Sequence, residues 1–159
     1  MSDVDVSDVE GGGSAASEGA ARAQLGREFP GGTYTLEPWR VWLIADCLGD
    51  DPYVGTPHPV LAWMASVGGM GMTFEDLFAW FGAKSSDGPM FGEHQTTMHQ
   101  PLQNGATYQV SGRITSVDRK HGRRAGTFDI IGYELDLHDD AGAHVATCWN
   151  SLVLPRRSA

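Results

Sequence analysis

Phe91-Gly-Glu-His-Gln-Thr-Thr-Met-His-Gln-Pro-Leu-Gln-Asn-Gly-Ala106 is the stretch on which the fold turns. It opens a series of β-prone segments, residues 95–99, 108–118, 127–138 and 144–153, that runs to the C-terminus. Between them lie Gln103-Asn-Gly105, His121-Gly-Arg-Arg-Ala-Gly126 and Asp139-Asp-Ala-Gly142, all of turn chemistry. Within the second segment Tyr108, Val110, Gly112, Ile114 and Ser116 alternate with Gln109, Ser111, Arg113, Thr115 and Val117. A period of two predicts antiparallel strands with one buried and one wet face.

Upstream the period changes. Residues 33–36 form a short β-prone run, and Glu37-Pro38 then starts a helix, with proline in the first turn where its missing N–H costs nothing. Trp39/Leu43 and Trp42/Ala45 have helical spacing, Gly49 ends the helix, and Asp50-Asp-Pro52 turns the chain. After Gly55-Thr-Pro-His-Pro59 comes Val60-Leu-Ala-Trp-Met-Ala-Ser-Val67, apolar on every side and therefore a buried helix. Gly68-Gly-Met-Gly-Met72 interrupts. Thr73, with Asp76 three residues on, then caps a helix whose Phe74, Leu77, Phe78 and Phe81 share a face. The fold class that follows is α+β, an antiparallel β-sheet wrapped around a central apolar helix.

Composition narrows the function. With 159 residues and 41% hydrophobic content, the chain holds one core. We expect a single domain over residues 29–159 and a disordered acidic leader over 1–28, where Asp3, Asp5, Asp8, Glu10 and Glu18 lie among Gly, Ser and Ala with no aromatic. A formal charge of −9 argues against nucleic acid as a partner. Cys47 and Cys148 lack metal-ligand spacing and read as reduced, buried thiols, with no metal expected. Nothing approaches the ~20 apolar residues of a membrane span, so a cytoplasmic protein is expected.

Phe91-Gly-Glu-His-Gln95, followed by His99-Gln-Pro-Leu102 and Gly105, resembles the "HGEQ…hRPl..GD" signature of MaoC-like dehydratases, the (R)-specific enoyl-CoA hydratase family, and in particular their N-terminal-domain type. Gly49-Asp-Asp-Pro52, Thr56-Pro-His-Pro59 and Gly122-Arg-Arg-Ala-Gly126 fall where that type has its turn, its helix start and a strand turn. The likeness spans about residues 33–157. Glu93-His94 departs from the usual order, and Ala106 stands where an aspartate often follows the glycine. The resemblance implies a hot-dog fold and the addition or removal of water on an enoyl or 3-hydroxyacyl thioester of coenzyme A or acyl carrier protein, without a cofactor.

Such chemistry needs a base for the water, an acid at the α-carbon and donors aimed at the thioester oxygen. Catalytic members hold the acid/base pair as Asp-x4-His after the first helix. Here the fifth residue beyond Asp50 is Gly55 and the fifth beyond Asp51 is Thr56. No catalytic residue is therefore expected in this chain, with Asp50, Asp51 and His58 as the fallback. Asp139 and His144 have the right spacing but sit on a hairpin turn, and His94 and His99 point to opposite faces of one strand. Non-catalytic hot-dog subunits of the family pair with a catalytic one and widen the tunnel for a bulky acyl chain. Pro57, His58, Trp63, Met64, Met70, Met72, Trp80 and His94 are the expected pocket residues, among them large aromatics and adaptable methionines. The expected partner is a homologous catalytic MaoC-like subunit. The alternatives are a self-sufficient homodimeric hydratase, a thioesterase of the same fold, or a silent acyl-binding or scaffold module.

Overall fold

In a computed structural model of the chain, which describes residues 13–53 and 55–156, five antiparallel strands form one sheet in the order β1-β3-β4-β5-β2. The strands are β1 (Gly32–Thr35), β2 (Met90–Met98), β3 (Thr107–Gly122), β4 (Gly126–His138) and β5 (His144–Pro155). Four α-helices accompany them: α1 (Gly13–Arg22), α2 (Pro38–Leu48), α3 (Val60–Gly68) and α4 (Phe74–Trp80). The sheet curls around α3, which touches all five strands. Leu61, Ala62, Ala65 and Ser66 of α3 are buried against Ile131, Tyr133, Leu135 and Leu137 of β4 and Ala146, Cys148 and Leu152 of β5. Small residues at 62, 65 and 66 let the helix lie close to the sheet, which is why a uniformly apolar segment becomes the axis of the fold.

The helix boundaries follow local chemistry. Pro38 begins α2, and Gly49, at φ 76°, closes it by donating its N–H to the Asp46 carbonyl. In α4 the expected capping box is complete: Thr73 Oγ1 accepts from the Asp76 N–H at 3.1 Å, and the Asp76 carboxylate accepts from the Thr73 N–H at 3.0 Å. The Thr73 hydroxyl also donates to the Asp76 carboxylate at 2.6 Å, and this bond first, with that from the Thr73 N–H, holds the Asp76 carboxyl below its usual value.

Four expectations change. Order begins before Phe29: α1 buries Ala21, and residues 26–29 pair with β3 through Gly26 N–H to Ile114 O and Phe29 N–H to Gly112 O. A single buried alanine suffices for contact with the sheet, and backbone pairing needs no apolar side chain, so a composition poor in aromatics did not mark this segment. Residues 1–12 of the expected leader lie outside the described residues. The alternation along β3 shifts at a bulge between Ile114 and Ser116, beyond which Val117 packs against the core instead of facing water. Cys47 is exposed, while Cys148 is buried as expected.

The fourth change concerns residues 68–72, whose Met70 and Met72 are expected at the pocket. Met70 is 2% exposed, and its carbonyl accepts the Gly31 N–H. A Cβ on Gly68 would overlap Tyr34, one on Gly69 would overlap Val110, and one on Gly71 would overlap the Gly31 carbonyl. The glycines here are contact surfaces against β1 and β3 rather than hinges.

Candidate functional site

The connection between α2 and α3 forms one wall of a cleft of ≈ 450 Å³, lined by Asp50, Thr56, Pro57, His58 and Pro59 and, opposite, by Met98, His99, Pro101 and Leu102. A smaller adjoining cavity of ≈ 290 Å³ adds Asp51, Tyr53 and Asn104. All three fallback residues thus border the same space. One polar atom each of His58 and Asp51 is engaged by the backbone. His58 Nδ1 accepts the Val60 N–H at 3.1 Å, capping the start of α3, and Asp51 Oδ1 accepts the Tyr53 N–H at 2.9 Å. Among the described residues no hydrogen bond or ion pair joins Asp50 or Asp51 to His58. A general acid and base act on the substrate bound between them, and Asp50, Asp51 and His58 border one space without being bonded to one another.

A second constellation lies one turn along α3, where the helix passes the edge strand β2. Trp63 Nε1 donates to Asn150 Oδ1 at 3.1 Å, and Asn150 Nδ2 donates to the Cys148 carbonyl at 3.2 Å. An indole N–H only donates and a carbonyl only accepts, so these two bonds fix the amide's orientation. His94 Nδ1, 2.9 Å from the same Oδ1, therefore carries a hydrogen, and its Nε2 shares a hydrogen bond with the Thr96 hydroxyl 2.6 Å away. Thr96 Oγ1 lies 3.7 Å from Cys148 Sγ. Burial pushes the Cys148 thiol up, against smaller opposing effects of hydrogen bonds with Ser66 and Thr96, which makes it an inert thiol. Phe91 and His94 each meet the Trp63 ring edge-on, with centroids 6.0 and 5.8 Å away.

The remaining pocket candidates are packed. Met70 is in the core, and Met64, Met72 and Trp80 lie against it. Trp80 is held between Phe29, 5.4 Å away, and the Arg27 guanidinium, 3.8 Å from its ring centroid. Of the eight residues expected at a pocket, Pro57 and His58 line the cleft, and Trp63 and His94 meet at Asn150. Asn150 itself was missed: a lone amide in Cys-Trp-Asn-Ser-Leu-Val-Leu154 carries no sequence signal of its partners. His99 and His94 do face opposite sides, the His99 ring lying 4.2 Å from that of His144, tilted by 40°, on the outer face of the sheet. Asp139 and His144 form no pair. Asp139 accepts the Ala141 and Ala143 N–H groups of its turn, and His144 meets Asp136 at 3.1 Å.

The family model for the FAS1-like, dehydratase domain region matches residues 59–148, more than half of the chain. The chain belongs to this family. Its architecture is the hot-dog fold, shared with solved structures of low sequence identity. The ChsH1-ChsH2 complex from Mycobacterium tuberculosis superposes with a TM-score of 0.65 at 13% identity, covering 91% of this chain and 96% of that one. The HadBC (3R-hydroxyacyl-ACP dehydratase) complex from the same organism gives 0.59 at 15% identity, covering 82% and 96%. The R-hydratase PhaJ1 from Pseudomonas aeruginosa gives 0.55 at 13%, covering 87% and 86%. No curated protein matches by sequence. No helix of the FAS1-like dehydratase chain, among the described residues, is long and apolar enough to cross a membrane.

Proposed function

We propose that this chain is the non-catalytic member of a hot-dog hydratase/dehydratase acting on enoyl or 3-hydroxyacyl thioesters, and that it works beside a homologous chain supplying the acid/base pair. The observation that carries the reading is that, among the described residues, no hydrogen bond joins Asp50 or Asp51 to His58, with His58 Nδ1 engaged by the backbone of Val60 and Asp51 Oδ1 by that of Tyr53. A cleft whose carboxylates and imidazole form no bonded pair fits a subunit whose neighbour performs the chemistry. Two of the structural relatives are named as complexes of two chains, ChsH1-ChsH2 and HadBC, which supports a heteromeric assembly.

The partner is proposed to join along β2. This strand of nine residues forms one edge of the sheet and exposes Met90 and Phe91, 55% and 50% accessible. The other edge, β1, has four residues and is backed by the glycine-rich segment 68–72. A long open edge with apolar side chains is a template for strand pairing.

The test is hydration of crotonyl-CoA by the purified chain alone and together with the hot-dog protein that co-purifies from its native host. The lone chain should stay at background and the pair should turn over. Robust turnover by the lone chain, abolished by His58→Ala, would overturn the reading and make Asp50 or Asp51 with His58 a working pair.

A further inference from the structure

The β3–β4 hairpin ends in Arg119-Lys-His-Gly-Arg-Arg124, which holds four of the chain's 11 lysines and arginines in a protein of formal charge −9. Arg119 binds buried Asp129 through Nε at 2.7 Å and Nη2 at 3.0 Å. Lys120, Arg123 and Arg124 are exposed, and no hydrogen bond or ion pair with a described residue engages them. From Val117 to Phe128 the sequence contains one acid, Asp118. The last rung shared with β5 is Phe128↔Pro155, so the rungs His121↔Thr127 and Gly122↔Gly126 project beyond it as a two-stranded tip. Gly126, at φ 68°, closes the turn on which the two arginines stand.

The register places this tip within the molecule. Asp118, Ile130, Val153 and Met90 are successive partners across the sheet, so the tip lies at the end where β2 begins. Val110, Leu137, Ala146 and Met98 are partners at the other end, where Met98 borders the α2–α3 cleft. Two chains related by a twofold axis and joined along β2 pair these strands antiparallel. The beginning of β2 in this chain then runs beside the end of β2 in its partner. The basic tip of one subunit consequently stands at the end of the joined sheet where the partner's cleft opens.

From this juxtaposition, which rests on the heteromeric reading above, we infer that the Lys120/Arg123/Arg124 tip is an anion site for the phosphate groups of coenzyme A, holding the nucleotide part of a thioester whose acyl group enters the partner's cleft. Guanidinium forks match phosphate oxygens in pairs, and an ammonium adds a point charge beside them. In an acidic protein, which repels the polyanionic carrier elsewhere on its surface, such a tip also decides where the carrier approaches. The subunit without acid/base residues would then supply substrate affinity in trans.

The charge-reversed variant R123E/R124E changes exposed turn positions, and unchanged thermal unfolding serves as its folding control. Two measurements decide the inference. In the first, the full chain alone is titrated with coenzyme A and followed by the backbone amide signals of residues 119–126. Those signals should shift for the native chain, and not for R123E/R124E or at about 1 M salt, where screening shortens to about 3 Å. No shift up to millimolar coenzyme A overturns the inference whether or not the assembled enzyme is active. In the second, the assembled enzyme is assayed with crotonyl-CoA and with the crotonyl thioester of N-acetylcysteamine, which has no phosphate. R123E/R124E should raise KM for the former about tenfold, leaving kcat and the phosphate-free substrate unchanged. Equal effects on both substrates, or a loss confined to substrates on an acidic carrier protein, overturn it. Absence of turnover with every thioester would count against the heteromeric hydratase instead, and the titration would still decide the hairpin.

Discussion

Asn150 shows how one buried amide can organise an edge of the sheet. It is wholly buried and accepts from both Trp63 and His94, tying α3, β2 and β5 together. Asn150→Ala would leave two donors without an acceptor, at about 1–3 kcal/mol for each one that stays desolvated. His94 is exposed and can turn to water, so the loss should fall at the lower end of the combined range. At this size each kcal/mol corresponds to about 2–4 °C in Tm. Asn150→Asp should be worse than Asn150→Ala near neutral pH if the new charge remains buried, and thermal unfolding of the two variants checks the order. Asp129 is the charged counterpart. It is 1% exposed and receives Arg119 and Arg156, while Arg156 Nη1 also donates to the Phe81 carbonyl at 2.7 Å, fastening the C-terminal strand to the end of α4. Desolvation is the largest influence on its carboxyl and pushes the pKa up, but the hydrogen bonds and charges of the two arginines together outweigh it and hold the pKa below its ordinary 3.8. A folded-state pKa below the unfolded one stabilises fully above the unfolded value, and that stability is lost as pH falls through the folded value. Asp129→Asn should therefore cost about 3–5 kcal/mol at pH 7, as for one partner removed from a buried pair. The gap between native and variant should narrow as pH drops below 3.8; a gap that stays constant down to pH 2 would mean that the carboxylate is not what the arginines require.

Which elements could be read from the sequence depended on whether their period came from burial. β3, β4 and β5 bury one face, and α3 buries Leu61, Ala62, Ala65 and Ser66 with Trp63, Met64 and Val67 half-buried, so alternation in the first three and uniform apolarity in the last marked them, with ends off by a few residues. α4 was legible through its cap. The start of β2 was not, because Met90 to Gln95 are exposed and a register shift between Phe91 and His94 breaks the alternation. α1 was hidden by its Gly, Ser and Ala content, which carries neither an apolar stripe nor an aromatic. The glycine-rich interruption after α3 was visible, but its purpose was not: chain composition cannot distinguish a loop that needs freedom from one that needs closeness. Substitutions separate the two. Gly69→Ala should destabilise by about 1–3 kcal/mol because its Cβ meets Val110 in a packed core. Gly19→Ala, in α1 with nothing near the added methyl, should be neutral or stabilising by up to about 1 kcal/mol. Equal, small effects at both positions would mean that residues 68–72 give way more easily than their contacts imply. As for the candidate site, the loop carrying Asp50, Asp51 and His58 was identified from motif order, whereas the hydrogen bonds that engage His58 and Asp51 depend on backbone positions that spacing alone does not fix.

The molecule as a whole leaves two apolar surfaces uncovered, and they make different predictions for assembly. One is the β2 edge, with Met90 and Phe91. The other is α2, in which Val41 alone is buried while Trp39, Trp42, Leu43 and Leu48 are between 39% and 55% exposed. Side chains of this size exceed what a lone domain usually presents in one element. The two differ in what the backbone offers. α2 satisfies its own hydrogen bonds and can contribute only side-chain area, whereas β2 also presents unpaired N–H and C=O groups that a second strand would satisfy in register. Pairing through β2 should therefore fix the geometry of the assembly, with α2 supplying contacts that follow from it. Phe91→Glu, at a half-exposed position, should leave the fold intact and shift the particle to the monomer mass in light scattering or sedimentation, taking the hydratase activity of the pair with it. Trp42→Glu should weaken assembly less and leave the paired species detectable. The opposite order, with Trp42→Glu giving the monomer and Phe91→Glu still assembling, would move the partner from the sheet edge to the helix, and the basic hairpin would then no longer stand beside the partner's cleft.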